Sequence, residues 1–198
     1  CVVSFEAPEQ AADALAEFGD QAAFYQFDIT DTDNAQALVD RIVQEQGRID
    51  ILINNAGNHC KKFIWDMTVE DYKRVLDVHL VGSFAMTKAV VPYMKEQKYG
   101  RIVFQASMTS YIGQPQVAGY STAKAGFLGM IHTLTAELAE DGVTVNAIAP
   151  GYMATKLNTA LMADPVRSAD ILARIPQKRW GTGEDMKGIT VFLASDAS

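Results

Sequence analysis

Cysteine is nearly missing from this chain: its 198 residues hold two, Cys1 and Cys60. Two thiols so far apart make neither a disulfide framework nor the clustered spacing of a metal site, and no metal is expected. Their scarcity fits a reducing, cytoplasmic setting. A surplus of positive charge is missing too. Lys and Arg number 17 against 24 Asp and Glu, a net charge of -7. That excludes nucleic acid as the main partner, because phosphate binding wants a basic face. No stretch reads as a signal peptide and no apolar run has transmembrane length, so no membrane partner is expected. Glycine is thin at the start. Before Asn54 only Gly19 and Gly47 occur, and neither follows a strand and opens a helix. Repeats, low-complexity tracts and linkers are absent, which leaves one domain over residues 1–198.

What is present is an ordinary globular balance, 48% hydrophobic and 21% charged, enough for one sizeable core. Short apolar runs alternate with segments of helical period. Strands are expected at Val2–Glu6, Ala22–Phe27, Ile49–Asn54, Ile102–Ala106 and Val143–Ala149. Helices are expected over Glu9–Phe18, Ala35–Gln46, a long stretch from Thr68 to Gly100 with a kink at Pro92, Tyr120–Glu140 and Glu184–Ala194. Thr30–Asp33 offer N-cap chemistry to the second helix, and Thr68 with Asp71 forms a capping-box variant. Residues 152–174 loosen into short helical pieces, 154–163 and 164–174, and read as a substrate lid. The alternation predicts a Rossmann-like, doubly wound parallel α/β sheet covered on both faces.

The chemistry gathers around Tyr120-Ser-Thr-Ala-Lys124. Residues four apart on a helix share a face, so phenol and ammonium would point the same way. A phenol titrates near 10, and acid/base work at neutrality needs a shift of about 2–3 units. A unit charge about 4 Å away supplies on the order of 4 kcal/mol at an effective dielectric of 20, which is the right size. An isolated Tyr and Lys at this spacing is usually a wet amphipathic pair. Context changes that reading: a buried strand ends at Ser107, thirteen residues upstream, where open α/β sheets place their chemistry. Another buried strand runs into Asn54-Asn55-Ala56-Gly57.

At these residues the chain resembles the short-chain dehydrogenase/reductase family. It carries the Asn-Asn-Ala-Gly turn, the serine thirteen before the tyrosine, the Tyr-x-x-x-Lys and a Pro150-Gly151 loop, in order and over essentially the whole length. The stretches around Ser107, Val145–Thr155 and Arg174–Thr182 look most like the gluconate 5-dehydrogenase and 2-dehydro-3-deoxy-gluconate 5-dehydrogenase branch. The resemblance implies hydride transfer between nicotinamide and a secondary alcohol or ketone, with a sugar acid or similar polar small molecule as substrate. Tyr120 would be the acid/base, Ser107 would orient the substrate oxygen, and Lys124 would favour the phenolate and reach the ribose. His79 falls where the family usually has an asparagine, whose backbone carbonyl holds a relay water. A relay role and a packed helix histidine both remain open for it.

The resemblance also implies a cofactor site. Glu6 would meet the adenosine ribose, which favours NAD over NADP, although NADP remains possible. Asp28 and Ile29 would meet the adenine, although Asp28 could equally begin the turn at Thr30. Asn55 and Gly57 would touch the cofactor, and Pro150, Gly151, Met153 and Thr155 would hold the nicotinamide end. The family's Thr-Gly-x-x-x-Gly-x-Gly turn and its first and last strands have no counterpart in these residues. The missing first strand would lie between those at Val2 and Ile51, leaving rows of unpaired backbone groups at about 1–3 kcal/mol each. Upstream residues that fill the place are expected, rather than a rearranged sheet. Lys61 or Lys62 would pair with a substrate carboxylate, or both are simply solvated. Homotetramer formation through the two long helices is a further implication. A 3-oxoacyl reductase using NADPH and a non-catalytic assembly module are the alternatives.

Overall fold

Short runs of apolar, largely β-branched and aromatic side chains form the strands, and amphipathic helical segments lie between them. The protein's structure, a computed structural model, describes residues 1–155 and 158–198. Among these, β1 (Val2–Ser4) pairs in parallel with β2 (Phe24–Gln26), and β3 (Ile51–Asn54), β4 (Gly100–Gln105) and β5 (Val143–Ile148) form a parallel sheet in that order. The parallel α/β architecture is as the sequence predicts. Strand β4 is central. Its Ile102 and Phe104 face a core with Val39 and Ile42 of α2 (Ala35–Gln46), Met86, Val90 and Met94 of α4 (Gly82–Gln97), and Phe127 of α5 (Ala118–Leu138). Its Val103 faces the other side, against Ile148 and Leu193 of α8 (Gly183–Ala194). Phe104 and Phe127 are fully buried with ring centroids 5.1 Å apart, each contributing about 1.5–3 kcal/mol by burial.

The five strands fall into two sheets with a cleft between β1 and β3. The cleft, about 1470 Å³, is lined by Val2 to Glu6 on one side and Ile51 to Asn54 on the other. Ile51 and Ile53 are more than 40% exposed, which a central strand of a doubly wound sheet would not tolerate. This is where the resemblance puts the family's first strand. The two edges have not closed up on each other.

Boundaries differ from expectation in instructive ways. The long helix continues through Pro92, which lies inside α4. Its irregularity is a π turn at Asp77–Val81, between α3 (Val69–Leu76) and α4. With that turn the helix spans Val69–Gln97, long and apolar enough by composition to cross a membrane, contrary to the sequence reading. Half of its apolar window lies inside the fold, against α5 and the sheet, so burial in the core accounts for its composition. The capping box forms as predicted, Thr68 Oγ1 accepting from Asp71 N at 3.0 Å and Asp71 Oδ2 accepting from Thr68 N at 3.2 Å. Asn34, not Thr30–Asp33, is the N-cap of α2, and its side chain makes no capping bond. The remaining helices are α1 (Pro8–Ala16), α6 (Thr159–Ala163) and α7 (Pro165–Arg174). Part of the predicted piece 154–163, residues 156 and 157, lies outside the described residues.

Arg101 N donates to Asp50 O at 2.8 Å. The alternation of a parallel ladder then turns the Leu52 and Asn54 amides toward β4 and those of Ile51 and Ile53 toward the cleft. In hydrogen exchange on the 198-residue chain, Ile51 and Ile53 amides should exchange orders of magnitude faster than those of Leu52 and Asn54. Equal protection would mean that something pairs with this edge.

Candidate active site

The end of β4 and the start of α5 are tied together by polar contacts at a place where apolar packing would not fix direction. Ser107 follows the strand and caps the turn Met108–Ser110, its Oγ accepting from Thr109 N at 3.2 Å. Ser110 Oγ donates to Lys124 O at 2.8 Å, and Met108 N donates to Pro150 O at 2.9 Å, so the turn is held from both α5 and the loop after β5. Lys124 is 2% exposed, and its ammonium donates to the Gln105 backbone carbonyl. Tyr120 and Lys124 do share a face, with Nζ 5.5 Å from the Tyr120 ring centroid. Ser107, Tyr120 and Lys124 all line the cleft.

The electrostatics depart from expectation. Burial pushes the Tyr120 phenol above its ordinary value, and the Ser107 hydroxyl beside it pulls partly back. Burial brings Lys124, whose ammonium donates to the Gln105 carbonyl, down to about 8. At neutral pH the phenol is protonated and the lysine still largely charged.

Two histidines bracket the phenol ring. His79 sits in the π turn, 2% exposed, edge-on to Tyr120 at 5.3 Å. Its Nε2 lies 3.1 Å from Asn58 N and 2.8 Å from Asn58 O, so either neutral tautomer is satisfied there. Nδ1 is buried without a partner, and a second ring proton would have nothing to bond. Burial, then the Lys124 charge, and His59 after them, hold His79 down to about 4 against a smaller opposing pull from the Asn58 carbonyl. The packed-histidine reading describes its ring. A Cβ on Gly57 would come within 2.3 Å of His79 Cε1, so the glycine is required by that ring. His59 lies against Tyr120 from the other side, ring centroids 4.7 Å apart.

The cleft also gathers the other predicted residues: Glu6, Asp28, Ile29, Asn55, Gly57, Pro150, Gly151, Met153 and Thr155 all line it. Two of them have structural work as well. Asp28 Oδ1 accepts from Thr30 N at 2.9 Å and Thr30 Oγ1 at 2.8 Å, the turn-forming alternative, and Ile29 packs against Gly82. Of the two lysines, Lys61 lines the cleft, whereas Lys62 is committed to Asp71 at 2.5 Å and is removed as a substrate contact. Sequence reasoning missed Gln105 and Asn58. Both act through backbone atoms, which carry no residue-type signal.

Residues 1–198 match the family profile described as Enoyl-(Acyl carrier protein) reductase. The chain belongs to the short-chain dehydrogenase/reductase family. This dehydrogenase/reductase is 40% identical over 199 residues to 3-oxoacyl-[acyl-carrier-protein] reductase of Synechocystis sp., covering 98% of this chain and 78% of that one. It is 38% identical over 192 residues to 2-dehydro-3-deoxy-D-gluconate 5-dehydrogenase of Escherichia coli, covering 96% and 76%. It superposes with a TM-score of 0.93 and 32% identity on gluconate 5-dehydrogenase from Burkholderia cenocepacia, solved with NADP and tartrate, covering 99% and 78%. The chain is an oxidoreductase of the nicotinamide-dependent kind.

Its residues fit the two ends of such a cofactor. Tyr120, Lys124, Pro150 and Gly151, which would hold a nicotinamide and its ribose, and Glu6 and Asp28, which would meet the adenosine, line the same cleft. Among the described residues no glycine-rich strand-to-helix turn stands between them to hold a diphosphate.

A histidine held below its unfolded value stabilises the fold fully above about pH 6.5, and that contribution is lost as pH falls toward about 4. Urea unfolding should therefore show stability declining between those values, and His79→Asn should flatten the decline. An unchanged slope in the variant would count against the buried neutral ring.

Proposed function

We propose that this oxidoreductase moves a hydride between a nicotinamide and the secondary alcohol or ketone carbon of a sugar acid or a similar polar hydroxy compound. The observation that carries the reading is the convergence of Ser107, Tyr120 and buried Lys124 on one cleft. The nicotinamide supplies or accepts the hydride when bound. Ser107 Oγ bonds the substrate oxygen and turns it toward Tyr120. In reduction the protonated phenol donates to that oxygen as charge develops on it, and in oxidation the phenolate takes the proton back. Lys124, fixed by Gln105, keeps a positive charge behind the phenol and faces the ribose hydroxyls.

Support for the substrate class comes from the relatives, two of which are named for gluconate derivatives; tartrate in the Burkholderia enzyme is itself a hydroxy acid. The Synechocystis relative favours a second reading, reduction of a 3-oxoacyl thioester. Glu6 supports NAD as the cofactor, since a carboxylate bonds a 2′-hydroxyl and repels a 2′-phosphate; the NADP in the Burkholderia enzyme weighs the other way. A homotetramer is supported by the family resemblance and by Val81 and Phe84, exposed on the long helix. A cytoplasmic setting rests on two free thiols.

Tyr120→Phe should lower kcat for every ketone by about 10²–10⁴ while NADH binding by calorimetry is retained. Unchanged turnover would remove the phenol from the chemistry. Glu6→Ala should narrow the preference for NADH over NADPH in kcat/KM by about tenfold. A ratio that does not move would leave the cofactor choice to other residues.

A further inference from the structure

Ser107 leaves β4 on an extended backbone, and two links to α5 are made on either side of it in the chain. Before it, the Gln105 carbonyl accepts from the Lys124 ammonium. After it, the Ser110 hydroxyl donates to the Lys124 backbone carbonyl at 2.8 Å. A carbonyl has two lone pairs, so this bond adds to the helix's own rather than replacing it. The same Ser110 Oγ accepts from the Ser107 amide at 3.3 Å. One half-buried hydroxyl therefore spans the backbones of two residues of the site, its proton spent on α5 and a lone pair on Ser107. Ser107, Tyr120 and Lys124 line the cleft, and Ser110 does not.

The turn Met108–Ser110 has backbone support that does not need this hydroxyl. Ser110 N donates to Ser107 O at 2.9 Å, Tyr111 N to Met108 O at 3.0 Å and Met108 N to Pro150 O at 2.9 Å. What the hydroxyl adds is the tie from Ser107 to α5. We propose that Ser110 is a positioning residue for the reaction: by tying the Ser107 amide to the Lys124 carbonyl, it fixes the Ser107 hydroxyl in place against the Tyr120 phenol. The inference rests on the hydride-transfer reading, in which both hydroxyls meet one substrate oxygen. The Ser107 hydroxyl is close enough to the phenol to pull its titration down. Its Oγ accepts from Thr109 N at 3.2 Å, so the turn leaves its proton free for that oxygen. Tyr120 stands one helical turn before Lys124, so a shift of Ser107 against the Lys124 carbonyl is also a shift against the phenol. Losing one neutral hydrogen bond costs a domain little, whereas a misplacement of about 1 Å at a reacting centre costs on the order of a hundredfold in rate.

The test is a double-mutant cycle with Ser110→Ala, Ser107→Ala and the double variant. It reads kcat for reduction of 5-ketogluconate or an acetoacetyl thioester, whichever wild type turns over faster, with the nicotinamide cofactor it prefers. Ser110→Ala should lower kcat about tenfold, with KM and the calorimetric Kd for that cofactor within about twofold of wild type. In the Ser107→Ala background the same change should have no further effect, because no hydroxyl is left to place. Equal losses in both backgrounds would mean that Ser110 does not act through Ser107, and overturn the inference. Wild-type kcat in Ser110→Ala, or a loss lying wholly in KM, overturns it as well and leaves hydride transfer standing. A wild type no faster than Tyr120→Phe on either substrate overturns both. Independent of turnover, the Tyr120 ring resonance in protein carrying isotope-labelled tyrosine, identified by its loss in Tyr120→Phe, should move in Ser110→Ala. A resonance that stays in place also overturns the positioning role.

Discussion

The contact between the Lys124 ammonium and the Gln105 carbonyl holds the site together. A charge that is 2% exposed needs a partner, and the nearest acceptor is the last carbonyl of β4. Satisfying it locks the first turns of α5 to the end of the central strand. Tyr120, one turn before Lys124, and Ser107, two residues beyond Gln105, are brought to the same cleft by that single link. Ser110 and Pro150 reinforce it from the flanks.

The same burial decides the protonation states. Desolvation raises the phenol and lowers the lysine, so their usual order reverses and the ammonium titrates before the phenol. A neutral phenol beside a serine hydroxyl can donate a proton to a bound oxygen. The two histidines contribute no positive charge at neutrality, so the ammonium remains the cation closest to the phenol.

Much of this was legible in the chain. The i, i+4 spacing of Tyr120 and Lys124, the strand end at Ser107 and the alternation of strands and helices follow from periodicity and position, and each is where it was expected. What could not be read are the partners that have no letter of their own. A backbone carbonyl, that of Gln105, also captures the Lys124 ammonium that lies 5.5 Å from the Tyr120 ring centroid. Proline at 92 lies inside a helix that continues past it. The actual irregularity, the π turn at Asp77–Val81, depends on an extra residue being accommodated in the helix and leaves no compositional trace. The split between β1 and β3 was anticipated from a missing motif, whereas its width, enough to leave Ile51 and Ile53 exposed, depends on where the two sheets settle in space.

Gly57 and His79 are locked together by steric fit, with no room for a single methyl group between them. A methyl group at position 57 would have to displace the buried imidazole, and with it both contacts that His79 Nε2 makes to the Asn58 backbone, so the turn and the helix can only be rearranged as one unit.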